Sequence, residues 1–128
     1  MSENKAAGFA ILVVDDCEDI RLMLRAMLEM RGHCVLEAED GQAAIELARR
    51  ACPDLILMDL NMPVLGGLDA TRRLRELEAL RHTPIVAVSA NPKDRCHAEA
   101  LAAGCNEYLA KPVIFSQLDH LLGRFLAV

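Results

Sequence analysis

Three carboxylates, one hydroxyl and one ammonium stand just after short apolar runs of this chain. The run Ile11–Val14 stops on Asp15 and Asp16, "LILM" is followed by Asp59, "VAV" by Ser89 and "EYLA" by Lys111. Two adjacent anions repel unless something cationic lies between them, and a polar strand end does not need two. If the five positions share one rim, Asp15, Asp16 and Asp59 make an oxygen-ligand site for a hard cation. Mg²⁺ fits best, because it uses few protein carboxylates and completes its shell with water and phosphate oxygens. Lys111 would pair with a carboxylate at rest and could bind an added phosphoryl oxygen, while Ser89 would hydrogen-bond another. Metal, lysine and hydroxyl together suit the equatorial oxygens of a transferring phosphoryl group, with Asp59 as the nucleophile.

The elements that must bring these residues together are legible in the hydrophobic pattern. β-type runs are Ala10–Val14, Cys34–Ala38, Leu55–Met58, Ile85–Val88 and a weaker one at Glu107–Leu109. Four are nearly continuous in apolar residues, as strands covered on both faces are. Helical periods lie between them: Ile20, Leu24, Met27 and Leu28; Ala44 and Ala48; Ala70, Leu74 and Leu77; Cys96, Ala100 and Ala103; then Leu118, Leu121, Leu122 and Phe125. Gly32 and Gly104 stand where left-handed caps would end helices, Asp40 precedes Gly41 as a capping carboxylate, and Pro53 and Pro84 fall at strand starts. Five β-α repeats imply a doubly wound five-stranded parallel sheet with five helices, a (βα)5 flavodoxin-like arrangement. Such folds bind ligands at the carboxyl ends of the strands, which is where all five reactive residues fall. Residues 1–8 read as a loose N-terminal tail and 9–128 as one domain.

Composition limits the alternatives. A length of 128 residues suits one domain, and a 53% hydrophobic content with only 3% aromatics demands an aliphatic core. The net charge of −5 argues against direct nucleic-acid binding, which relies on cationic surface. No apolar run approaches the ~20 residues of a bilayer span, and "MSENKAAG" carries no secretory h-region. Five cysteines, an odd number with no Cys-x-x-Cys, fit reduced thiols in a cytoplasm, most of them read as small buried hydrophobes. The histidines show no metal-ligand spacing. Arg72, Arg73, Arg75 and Arg81, interleaved with Glu76 and Glu78, read as a solvated helix face.

The motifs "VVDD", "LILMDLNMP…GG", "IVAVSA" and "EYLAKP", in this order from about Phe9 to Phe125, closely resemble the response-regulator receiver domain of two-component signalling, of the chemotaxis-regulator type. The resemblance implies a receiver fold in which Asp59 accepts a phosphoryl group from a phosphohistidine. It implies that Asp16 binds Mg²⁺ directly, Asp15 mostly through water and Asn61 through its backbone carbonyl. Lys111 would contact the phosphoryl group, Ser89 and Tyr108 would form a switch pair, and Lys111-Pro112 would be a cis peptide, which proline permits at low cost. Ser89 stands where threonine is commoner, keeping the hydroxyl. The resemblance implies that Asn61 and Asn91 occupy positions that, in the family, influence the lifetime of the aspartyl phosphate. The implied partners are a histidine kinase or histidine phosphotransfer protein and a downstream protein target. The implied chemistry is self-catalysed phosphotransfer and autodephosphorylation, not turnover of a separate substrate.

Two other functions use similar parts. A haloacid-dehalogenase-type phosphatase also forms an aspartyl phosphate with Mg²⁺, but places its nucleophile after the first strand as Asp-x-Asp. A flavodoxin-like electron carrier needs a Ser, Thr and Gly-rich phosphate loop after that strand, where "DDCEDI" would repel a flavin phosphate. Within the signalling reading, Met1 and the polar tail favour a single-domain regulator, while "MPVLGGLDATRRLR" looks more like receivers of hybrid histidine kinases. On the first helix, Ile20, Met23, Leu24, Met27 and Leu28 fill one face, and Leu22 falls opposite among Arg21, Arg25 and Glu29. Leu22 is therefore a candidate docking anchor for the phosphodonor.

Overall fold

Apolar runs too short for helices and buried on both sides can satisfy their backbone only in a sheet covered by helices. The structure, a computed structural model, has that form; it describes residues 8–62, 65–90 and 93–126, with the backbone alone at 93–96. Residues 1–7 of the expected tail lie outside the described residues. Strands β1 (Ala10–Val14), β2 (Cys34–Ala38), β3 (Leu55–Asp59), β4 (Ile85–Ser89) and β5 (Glu107–Ala110) alternate with helices α1 (Glu18–Glu29), α2 (Gly41–Ala51), α3 (Gly67–Glu76), α4 (Lys93–Ala103) and α5 (Phe115–Phe125). A 3₁₀ turn, Glu78–Leu80, follows α3. The sheet is parallel throughout, in the order β2-β1-β3-β4-β5.

Side-chain alternation along each strand splits the core in two. Ile11, Val13, Leu55, Leu57, Val86 and Val88 face α1 and α5, meeting Leu24, Leu28, Leu118 and Leu122. Leu12, Val14, Ile56, Met58, Ile85 and Ala87 face α2, α3 and α4, where Ala44, Ala48, Ala70, Leu74 and Ala100 are buried. Each fully buried Leu or Ile contributes about 1.5–3 kcal/mol, so this double layer supplies the driving force. α2 meets the sheet through alanines, which seats it closely. Met23, expected on the buried face of α1, is 40% exposed: the apolar stripe is narrower than the composition suggests.

Local chemistry sets the element ends. Asp40 Oδ1 accepts the Ala43 N–H at 2.8 Å and starts α2. Cys52 closes the same helix in the left-handed region at φ 47°, and Pro53 then cannot continue it. Gly32 and Gly104 follow α1 and α4 at φ 87° and 119°, a region that favours glycine. Among the described cysteines, Cys17, Cys34 and Cys52 are exposed and only Cys105 is buried, a correction to the reading of most cysteines as buried hydrophobes.

Arg75 is a second correction. It does not belong to a solvated face but turns inward as a latch. Its Nε donates to the Gly104 carbonyl at 3.0 Å, its Nη1 to the carbonyls of Leu80 and Thr83 at 2.8 and 2.7 Å, and its Nη2 to Asn106 Oδ1 at 2.7 Å. Asn106 Oδ1 also accepts the Ile85 N–H at 2.9 Å. One guanidinium thus joins the end of α3 to the start of β4 and the α4–β5 turn. Arg75→Ala should lower stability by roughly 2–4 kcal/mol, since hydrogen bonds from a charged donor are lost together. Arg73→Ala, on the exposed side of the same helix, should change it by less than about 0.5 kcal/mol. Urea denaturation of the two variants checks the contrast.

Candidate functional site

β1 and β3 lie side by side while β2 and β4 lead away in opposite directions. A crevice therefore opens at their carboxyl ends, the topological switch point. Asp15 directly follows β1 and Asp59 ends β3, so both project into that crevice. Asp15 is fixed by its backbone and side chain: its N–H donates to the Ala38 carbonyl at 3.1 Å, and its Oδ1 accepts the Cys17 N–H at 2.9 Å. Asp59 Oδ1 likewise accepts the Asn61 N–H at 3.1 Å. The backbone of Gly67, opening α3, lies so close to the Asp59 carbonyl that a Cβ there would overlap it.

Lys111 reaches the same point from β5. Its Nζ lies 3.0 Å from Asp15 Oδ2 and 3.5 Å from Asp59 Oδ1. Its own N–H donates to the Ser89 carbonyl at 2.9 Å, and the peptide to Pro112 is cis. Ser89, fully buried at the end of β4, accepts a hydrogen bond from Asn61 Nδ2 on its Oγ at 3.4 Å. The Tyr108 hydroxyl lies 3.5 Å from the Ser89 carbonyl. The fold thus brings Asp15, Asp16, Asp59, Asn61, Ser89, Tyr108, Lys111 and Pro112 to one rim. Leu22 is 50% exposed on α1. Asn91 lies outside the described residues.

The electrostatics are strained without a cation. Asp15, Asp16 and Asp59 each offer a carboxylate oxygen within 4.8 Å of the other two, and among the described residues they form the one such acidic group. Two like charges about 4 Å apart cost on the order of 4 kcal/mol at an effective dielectric near 20, and Lys111 supplies a single positive charge against three negative ones. Burial, with the Asp15 charge added, pushes the Asp59 carboxyl up to about 6, against the pull of the Asn61 N–H and Lys111. Burial works against the Lys111 ammonium, but its hydrogen bond to Asp15 and the nearby Asp59 charge outweigh that and hold it above its ordinary range. Three converging carboxylates, two of them buried and fixed by backbone N–H groups, fit a small hard cation.

A bracket behind the site escaped the sequence reading. Arg21 is not an exposed neighbour of Leu22: its Nη1 donates to the Asp15 carbonyl at 2.7 Å and its Nε to Glu37 Oε1 at 3.1 Å. Arg25 Nη1 holds the other Glu37 oxygen at 2.6 Å. The hydrogen bond from Arg25, then that from Arg21, keeps the Glu37 carboxyl below its usual range despite burial. The signal was present: Glu37 is the one charge in the strand "CVLEA", and Arg21 and Arg25 are spaced i, i+4 on the neighbouring helix.

A switch-point crevice holding three acids, a lysine and a buried hydroxyl is the build of a phosphoacceptor signalling module. Comparison with known proteins agrees: the model of the response regulator receiver domain matches residues 11–122. The polar-differentiation response regulator DivK of Brucella ovis is 35% identical over 117 residues, covering 91% of this chain and 95% of its own length. The receiver domain of the sensor histidine kinase PA1611 of Pseudomonas aeruginosa, solved with a magnesium ion in its active-site cleft, superposes with a TM-score of 0.88 at 39% identity, covering 95% of this chain and all of its own. The chemotaxis protein CheY4 of Vibrio cholerae superposes with a TM-score of 0.86 at 32% identity, covering 91% of this chain and 97% of its own. The chain belongs to the response-regulator receiver domain family and is a receiver of two-component signalling. The phosphatase and electron-carrier readings fall away. No helix among the described residues is long and apolar enough to cross a membrane.

The acid cluster sets a pH dependence. Between about pH 4 and 6 native Asp59 holds a proton that the unfolded chain has released, so its contribution to stability falls as pH rises through that window. In metal-free protein at pH 7, Asp59→Asn should be more stable than the native sequence by about 2 kcal/mol, with the gap closing as pH falls from about 6 to about 4. Millimolar Mg²⁺ should raise the melting temperature of the native sequence and not that of Asp16→Ala. Thermal melts across pH, with and without Mg²⁺, test both.

Proposed function

We propose that Asp59 is the phosphoacceptor, taking a phosphoryl group from a phosphohistidine of a histidine kinase or histidine phosphotransfer protein. The observation that carries this reading is the placement of the Asp59 carboxylate: buried at the end of β3, within 3.5 Å of Lys111 Nζ and beside the acid pair Asp15 and Asp16. With its carboxyl near 6, most of Asp59 is ionised at neutral pH and able to attack. A carboxylate oxygen bonds to phosphorus as the phosphorus–nitrogen bond breaks, and the electron pair leaves with the donor imidazole. Mg²⁺, held by Asp15, Asp16, Asp59 and the Asn61 backbone carbonyl, would neutralise charge on the phosphoryl oxygens.

The chain's own groups do the rest. Lys111 exchanges its resting partner Asp15 for a phosphoryl oxygen, which keeps the ammonium paired throughout. Ser89 gives its hydroxyl to a second oxygen and leaves Asn61 Nδ2. Because Ser89 lies at a strand end whose carbonyl faces both Lys111 N–H and the Tyr108 hydroxyl, its movement is felt by β5. Tyr108 then follows as the second half of the switch, changing a surface read by a downstream protein. Autodephosphorylation, water attacking the aspartyl phosphate, resets it. The same chemistry serves a single-domain regulator and the receiver of a hybrid histidine kinase.

Acetyl phosphate with Mg²⁺ should add one phosphoryl group by intact-mass spectrometry. Asp59→Asn should accept none while keeping the fold, and Lys111→Ala should keep metal binding but label more slowly. A label persisting on Asp59→Asn would sink the assignment. Leu22, exposed among charges on α1, is proposed as an apolar anchor for the phosphohistidine partner. Leu22→Ser should slow transfer from that partner and leave acetyl phosphate labelling unchanged. Equal slowing with both donors would mean a damaged site, and no slowing with either would remove Leu22 from the interface.

A further inference from the structure

On β5, Tyr108 is partly buried and carries a neighbour that the motif pattern does not assign. The imidazole of His97, from the second turn of α4, stacks on its ring with centroids 5.6 Å apart and planes 21° from parallel. His97 Nε2 is 3.8 Å from Glu107 Oε1, with 43% of its side chain exposed. Glu107 is itself fixed: Oε1 accepts the Tyr108 N–H at 3.0 Å, and Oε2 accepts Arg124 Nη1 of α5 at 2.9 Å. One carboxylate therefore gathers α4, β5 and α5 around the tyrosine. An open groove of about 460 Å³, lined by Tyr108, Leu121 and Arg124 among others, lies along the other side of β5 against α5. A half-exposed stack of this kind is not required to fill the core. An offset aromatic pair at this separation is attractive beyond its buried area.

We propose that His97 is a positioning residue for Tyr108, its stacked imidazole holding the phenol ring beside the Ser89 carbonyl so that α4 and the switch move together. The hold acts through the ring face, while Glu107 limits where the imidazole can sit. Movement of Tyr108 must either break the stack or carry His97 with it. This rests on the reading of Tyr108 as half of the switch.

Tyr108 is the only tyrosine and there is no tryptophan, so tyrosine emission reports this ring alone. Acrylamide quenching and emission anisotropy would be measured on the native sequence, His97→Ala and His97→Phe, before and after labelling by acetyl phosphate with Mg²⁺. Loss of the stack should shift the ratio of held to released ring by roughly 2- to 10-fold. His97→Ala should therefore raise quenching and lower anisotropy before labelling. His97→Phe, which keeps the stack without the Glu107 contact, should behave like the native sequence. Incorporation of phosphoryl at Asp59 should be equal in all three. Equal quenching in His97→Ala and the native sequence would overturn the proposal, as would His97→Phe behaving like His97→Ala. If alanine disturbs α4, His97→Gln, polar and unstacked, repeats the comparison. A native Tyr108 signal unmoved by labelling would instead overturn the switch reading, and the comparison before labelling would still decide the role of His97.

Discussion

Everything at the rim answers to one constraint: three carboxylates crowd together with one ammonium to offset them. Asp15 and Asp59 are buried to 2% exposure, where the charged form is costly, and Asp16 stands open beside them. The backbone absorbs part of that cost, since each buried carboxylate accepts an N–H two residues on. Lys111 absorbs another part by sitting between them. What is left over is free energy available to a cation or to a phosphoryl group carried with one.

The surroundings keep that arrangement from relaxing. The acids could spread apart only if β1 or β3 shifted, and both are central strands with fully buried side chains on both faces. Arg21 adds a direct restraint, holding the carbonyl of Asp15 while Glu37 and Arg25 hold Arg21. Such a mutually satisfied network fixes position better than any single pair of charges at a surface. The contrast between α1's two roles is instructive. One of its sides braces the acid loop from beneath, while Leu22 and Met23 remain open on the other.

The opposite edge of the sheet is held differently. β5 is short and lies at the edge, and its alignment relies on side chains from three helices. Arg75 ties the turn before it to α3, while Glu107 links it to α4 through His97 and to α5 through Arg124. A strand held by separable polar contacts can shift more readily than one locked by core packing. On the proposed reading, that edge is where a signal raised at Asp59 and Ser89 would have room to travel.

Much of the fold was legible because a doubly covered parallel sheet writes itself as alternating apolar runs and helical periods. The five strands fall where the runs do, and the glycine and aspartate caps mark the turns. The placement of the rim residues was legible too, because position just after a strand puts a side chain at the carboxyl rim whatever its neighbours are. The sequence alone therefore determined the strand order's general class, the acid cluster and the lysine and hydroxyl that face it. Only the tertiary structure decided which arginines are solvated and which are structural. Arg21, Arg72, Arg73 and Arg75 look alike along the chain, yet Arg21 and Arg75 turn inward to carbonyls that no local pattern reveals. The same holds for His97 against Tyr108, eleven positions apart and brought together where the chain turns back from α4 into β5. Periodicity reports which side of an element is apolar. It cannot report which distant polar group a long side chain will meet, because that depends on how the elements pack.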